Sequence, residues 1–172
     1  RGDPPQGEEV FKATEGGLSY GSDLVELIRE NFPDFGIGVG GYPEKHPEAK
    51  DNIIDLANLK TKVDAGADFI TTQLFFDNQV YFDFVKSCKD SGIDIPVLPG
   101  LLPVLSLGQV RRFCKMCEAS LPTSLEQKLT QADDENHPAI GAEWAAGQIN
   151  ELLQGGAPGY HIYALNKPQS TL

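Results

Sequence analysis

The sequence predicts an α/β fold made of parallel βα units, and three observations carry that prediction. Short apolar runs of strand length alternate with amphipathic helical segments. The connectors between them are short, as parallel units require. Polar side chains recur just beyond the C-terminal end of each strand run.

The elements follow in order. Residues 3–17 are rich in Pro, Gly and Glu and read as a loop. Ser19 is placed to cap a helix over 20–31, in which Leu24, Leu27 and Ile28 recur at helical spacing before Pro33 stops it. Residues 36–42 form a strand whose glycines indicate a close approach to its backbone, and 43–49 form a loop. Residues 52–65 form an amphipathic helix with Ile53, Leu56, Leu59 and Val63 inward, closed by Gly66. A buried strand over 69–76 leads to a helix over 78–89 that faces Val80, Phe84, Val85 and Cys88 inward. Another strand spans 96–104, and Ser106 caps a helix over 107–118. Residues 122–129 read as an extra short helix and 137–153 as a long one, carrying Ala142, Trp144, Ala145, Ile149 and Leu152. A last strand covers 160–165.

Four strands on this periodicity fit a complete open sheet and half of an eight-stranded barrel equally well. No Gly-x-Gly-x-x-Gly opens a helix after a strand and no P-loop is present, so a dinucleotide-fingerprint fold has no support. The polar residues favour the barrel. Asp3, then Tyr42, His46 and Glu48, then Gln73 and Asp77, then Gln109, then Asn166 and Lys167 fall at the same relative point of successive units. Barrels carry their functional groups there.

Composition narrows the function classes. The 172 residues suffice for one domain with a core, and 40% hydrophobic with 23% charged residues is an ordinary globular profile. A net charge of -11 without any Lys/Arg cluster argues against a nucleic-acid partner. No apolar run approaches the roughly 20 residues of a membrane helix, and the polar opening Arg1-Gly2-Asp3-Pro4-Pro5 is not expected to act as a signal peptide. Three cysteines point to a reducing compartment. Cys114 and Cys117 have redox or metal spacing but sit on the apolar stripe of a helix with no second pair, so they read as core and no metal site is expected.

Several segments resemble one family. They are Arg1-Gly2-Asp3-Pro4-Pro5, the run from Gly41-Tyr42-Pro43 to His46-Pro47-Glu48-Ala49, the long block from Leu59 to Asp77, Pro99-Gly100-Leu101-Leu102-Pro103-Val104 and Tyr163-Ala164-Leu165-Asn166. In order and spacing they resemble methylenetetrahydrofolate reductases from Arg1 to about Lys167. The resemblance implies a (β/α)8 TIM-type barrel, of which residues 1–172 carry roughly the second half as one partial catalytic domain, incomplete at the N-terminus and expected to be so at the C-terminus. It implies bound FAD, reduced by NAD(P)H and oxidised by 5,10-methylenetetrahydrofolate to give 5-methyltetrahydrofolate. The family's general acid is a glutamate on the first barrel strand, outside this chain, so the fragment alone is expected to be inactive. A flavin- and folate-binding pseudoenzyme, or a barrel enzyme for another substrate, are the alternatives.

The resemblance also implies roles. Asp3 lies beside the flavin ring and the pterin, where a carboxylate tunes the cofactor, with Arg1 and Gly2 on the same face. Tyr20 and Gly21 open a helix whose free N–H groups suit a phosphate. Tyr42, His46, Pro47, Glu48 and Ala49 contact the ribityl, diphosphate and adenosine parts, and Asp55 and Lys62 point the same way from one helix face. Gln73 binds the pterin and contacts the nicotinamide. Gln109 and Phe113 hold substrate. Lys167 stands where the family usually has Arg and would meet a folate carboxylate as a point charge. The intact enzyme is expected to be cytoplasmic and a homo-oligomer, with no membrane partner.

Overall fold

Four parallel strands in consecutive order organise the chain. The computed structural model describes residues 14–166. Within them run α1 (Gly21–Asn31), β1 (Gly38–Gly41), α2 (Asn52–Asp64), β2 (Phe69–Leu74), α3 (Asn78–Asp90), β3 (Val97–Leu101), α4 (Leu107–Cys117), α5 (Thr123–Gln131), α6 (His137–Gln154) and β4 (His161–Ile162). The sheet order is β1-β2-β3-β4. Gly38 pairs with Phe69, Ile70 with Val97 and Gly100 with His161, all in parallel register. A doubly wound sheet reverses its strand order at a switch point. Among the described residues no reversal occurs, and the arrangement is that of an arc of a βα barrel.

Local chemistry explains most boundaries. The carboxylates of Asp51 and Asp77 and the hydroxyl of Ser106 each accept a backbone N–H in the first turn of α2, α3 and α4. The expected cap at Ser19 falls one residue early. Tyr20 is the N-cap of α1, and the Asp23 carboxylate reaches back to the N–H groups of Ser19 and Tyr20 at 3.0 and 2.9 Å. Ile53 does not face inward but stands 78% exposed, because the buried stripe of α2 starts a turn later, at Leu56 and Leu59.

All four strands are shorter than their apolar runs: β1 loses a residue or two at its ends, and β3 stops at Leu101 of the expected 96–104, where Leu102 and Val104 turn into the second apolar cluster. The register of β2 against β3 shifts between Thr71 and Leu74, and the Gln73 side-chain oxygen accepts the Leu74 N–H. Beyond that point Phe75 and Phe76 stay buried while their carbonyls accept from the side chains of Gln148 and Trp144 on α6. Strand β4 covers only two residues, although the Tyr163 N–H still donates to the Leu101 carbonyl. Leu165 and Asn166, three and four residues past its end, turn left-handed at φ 50° and 59°. A 3-10 turn at Asp134–Asn136 before α6 has no counterpart in the sequence reading.

Two apolar clusters divide the interior. The first sets Val39, Ile70, Val97 and Leu101 of the sheet against Leu59, Phe84, Cys88 and Leu152 of α2, α3 and α6. The second lies past the strand ends, where Leu74, Phe76, Leu102 and Val104 meet Val110, Cys114 and Cys117 of α4 and Leu125 and Leu129 of α5. Helix α6 closes against that region so tightly that a Cβ on Gly141 would lie 1.9 Å from the Val104 carbonyl oxygen.

Helix α4 does not return along the outside of the sheet. It starts just past the C-terminal end of β3 and ends at Glu118, whose carboxylate lies 3.6 Å from the Lys45 ammonium in the loop after β1. Its 11 residues span about 16 Å, enough to cross the strand ends from β3 to β1. The helix therefore roofs the face on which the candidate residues gather.

Candidate functional site

The loop after β1 is held from several sides. The Asp55 carboxylate accepts the His46 N–H at 3.0 Å, tying the loop to α2. The His46 ring accepts the Glu48 N–H on Nδ1 at 3.1 Å and meets the Tyr42 ring edge-on at 4.5 Å. Lys45, at φ 97°, turns its ammonium into the loop and donates to the carbonyls of His46 and Ala49 at 2.8 and 3.0 Å. Pro47, Glu48 and Ala49 thus form a fixed rim instead of a loose connector.

Lys62 of α2 reaches the end of β1, where its ammonium donates to the Gly40 carbonyl. Burial pulls its pKa below the ordinary lysine value, and the Asp55 charge opposes that shift. Gly21, at the start of α1, faces the same side chain, since a Cβ there would lie 3.6 Å from the Lys62 Cδ. A half-buried cation therefore stands beside a helix N-terminus that lacks a side chain at its first position. Both features suit an anion. Tyr20, the residue before, is 67% exposed.

Gln73 lies on β2 with its amide oxygen engaged by the Leu74 N–H. The buried Thr72 beside it is fixed twice. Its hydroxyl accepts the Gly100 N–H and its carbonyl accepts the Tyr163 hydroxyl, both at 2.8 Å. A Cβ on Gly100 would lie 2.2 Å from the Thr72 carbonyl, so only glycine permits this approach of β3 to β2. Burial raises the Tyr163 phenol above its usual pKa, with the Tyr42 charge acting in the same direction. Tyr163→Phe is expected to lower stability by about 1 kcal/mol, read as a shift in denaturation midpoint. An unchanged midpoint would mean that the Thr72 carbonyl finds another donor.

Gln109 sits in the first turn of α4, where its amide oxygen accepts the Leu105 N–H at 2.8 Å. Together with Leu105, Ser106, Gly108 and Arg112 it lines a shallow pocket of about 320 Å³. Phe113 is divided between roles. One side packs on the second apolar cluster, and the Arg112 guanidinium lies over its ring at 5.3 Å from the centroid.

The structure thus brings Gly21, Tyr42, His46, Asp55 and Lys62 into one assembly around the end of β1, and places Gln73, Gln109 and Phe113 on β2 and the roofing helix. Arg1, Gly2, Asp3 and Lys167 lie outside the described residues. Sequence reasoning did not single out Lys45, Glu44 or Tyr163 as functional. Each stands inside a block that carries the family resemblance, and that was their only signal. Cys114 and Cys117 are buried in the second cluster, and burial pushes the Cys114 thiol up to about 11.

The family model for methylenetetrahydrofolate reductase matches residues 1–172. The chain belongs to the methylenetetrahydrofolate reductase family. It is 39% identical over 184 residues to methylenetetrahydrofolate reductase (NADH) 1 of Arabidopsis thaliana, covering 100% of this chain and 31% of that protein. It is 41% identical over 152 residues to the 5,10-methylenetetrahydrofolate reductase of Escherichia coli K12, covering 87% of this chain and 51% of that protein. The chain therefore spans about half the length of its bacterial reductase relatives and about a third of the plant ones. A solved structure from Clostridium thermocellum, described as binding two copies of 5-methyl-5,6,7,8-tetrahydrofolic acid, shares the fold at a TM-score of 0.58 and 20% identity, covering 97% of this chain and 63% of that one. Among the described residues no helix is long and apolar enough to cross a membrane.

Proposed function

We propose that this chain is part of the FAD-binding catalytic barrel of an enzyme that reduces 5,10-methylenetetrahydrofolate to 5-methyltetrahydrofolate with NAD(P)H as donor. The observation that carries the reading is the assembly of Lys62, the Gly21 end of α1 and the braced loop 42–49 beside the strand ends that bear Gln73. Its chemistry fits the diphosphate of FAD, with the Lys62 cation beside the first turn of α1 on one side and a rigid rim for the nucleotide on the other. The bound flavin would supply hydride transfer between nicotinamide and folate.

This chain's own residues bind and orient. Lys62 and the first N–H groups of α1 hold the diphosphate, and Asp55 keeps His46 in place through its backbone N–H. Tyr42, His46, Pro47, Glu48 and Ala49 bound the adenosine and ribityl parts. Gln73 offers an amide to the pterin from the end of β2. Gln109 and Phe113 hold substrate from α4, and Lys167 meets the folate carboxylate. Asp3 and its neighbours Arg1 and Gly2 complete the flavin face, with the Asp3 carboxylate hydrogen-bonding folate and disfavouring further negative charge on the ring. The intact enzyme is taken to be a cytoplasmic homo-oligomer. This segment alone is expected to bind FAD weakly or not at all, and strands β1 and β4, each paired on one side only among the described residues, would make it prone to aggregate.

The plant relatives are named for NADH, which makes it the donor to try first. The intact protein should show flavin absorbance that bleaches with NADH and returns with 5,10-methylenetetrahydrofolate. Flavin-free protein, or bands indifferent to both compounds, would overturn the proposal.

A further inference from the structure

Glu44 sits inside the loop assigned to the cofactor, between Tyr42 and His46, yet its side chain serves a different element. Both carboxylate oxygens accept the Ser120 N–H, each at 3.0 Å, just beyond the end of α4. The next residue makes a second tie, Lys45 to Glu118 at 3.6 Å. Glu118 caps α4 with its backbone at φ 52°, and the Ala119 N–H donates to the Cys114 carbonyl. The C-terminal end of α4 is therefore pinned to the loop after β1, while its N-terminal end is fixed by Ser106 and by the Gln109 amide. Helix α4 is a beam supported at both ends, and it carries Gln109 and Phe113.

We infer that Glu44 is a positioning residue for substrate and not for the cofactor: by anchoring Ser120 it sets the height of α4 over the strand ends, and with it the places of Gln109 and Phe113. The inference rests on the reading of α4 as the substrate-bearing helix. The Lys45 contacts that brace the loop internally do not involve Glu44, so the loop keeps its shape when the carboxylate is removed. A small displacement of a positioning element is felt mainly by the ligand it faces.

The experiment compares wild type, Glu44→Ala and Glu44→Gln in the intact flavin-loaded protein. Glu44→Ala is expected to raise the KM for 5,10-methylenetetrahydrofolate and the Kd for 5-methyltetrahydrofolate, measured by calorimetric titration, on the order of fivefold. The FAD content and its Kd stay at wild-type values. Glu44→Gln, which retains one acceptor for Ser120, recovers part of the loss. Amide exchange should show protection at Ser120 falling in Glu44→Ala and partly returning in Glu44→Gln. FAD loss with unchanged folate binding would overturn the inference by assigning Glu44 to the cofactor, and unchanged values for both would overturn it as well. If Glu44→Ala does not fold, the Glu44→Gln values alone decide between the same outcomes. A wild type that binds folate but shows no NADH-bleachable flavin would sink the reductase reading while leaving the folate titration to test Glu44.

Discussion

Gly141→Ala is expected to destabilise the fold by about 3 kcal/mol, at the upper end of overpacking costs. A methyl group there would lie 1.9 Å from the Val104 carbonyl oxygen and 2.7 and 2.8 Å from its carbonyl carbon and nitrogen. All three are backbone atoms, so no side chain can rotate away. Either α6 must back off, opening the second apolar cluster, or the 102–105 segment must move. That segment leads into the Ser106 cap of α4, so the displacement would reach Gln109 too. Denaturant titration measures the loss. A change under about 1 kcal/mol would show that α6 can slide without cost and that its contact with Val104 is not a fixed point of the fold.

Lys62→Met should weaken FAD binding about 100-fold while leaving the folded state intact. Methionine keeps an unbranched apolar stem one atom shorter but removes a cation worth roughly 1.5–3 kcal/mol to a phosphate. The measurement is the dissociation constant of FAD by flavin fluorescence. An effect below threefold would remove Lys62 from the diphosphate site. The pH dependence gives an independent check. Burial holds the Lys62 pKa below its ordinary value of 10.5, and diphosphate binding favours the charged form. FAD affinity should therefore fall as pH rises through that lowered pKa, earlier than an ordinary lysine would allow. Lys62→Arg, which stays charged, should remain flat across the same range. Without an anion the sign is reversed. The unfolded chain then holds the proton more tightly than the folded one, so the cost of burying Lys62 eases as pH rises.

The helices were the most legible part of the sequence. Ser106 caps α4 as read, because a short polar side chain before an apolar stripe is a local signal, whereas the cap read at Ser19 lies one residue before the observed one at Tyr20. Strand ends were less legible, because they are set by partners distant in sequence. The apolar run 69–76 continues past the ladder since Gln148 and Trp144, more than 65 residues on, take the carbonyls of Phe75 and Phe76. Strand order was open on periodicity alone and required the pairings themselves. The path of α4 was also invisible, because an amphipathic helix that roofs a sheet reads like one that flanks it. At the site, residue types at strand ends and the family resemblance pointed to Lys62, Asp55 and His46. Neither revealed that Glu44 reaches out of its own loop to Ser120, since a lone glutamate among prolines carries no such signal.

The three thiols are distributed so as to report on two different openings. Cys88 is completely buried in the cluster between the sheet and its flanking helices, whereas Cys114 and Cys117 lie beneath the roof formed by α4. An alkylating reagent reaches the first only when the sheet separates from α3, but reaches the other two whenever the beam lifts. Faster alkylation of Cys114 and Cys117 than of Cys88 would therefore mean that α4 lifts more often than the sheet opens, and equal rates would mean that the two clusters open together.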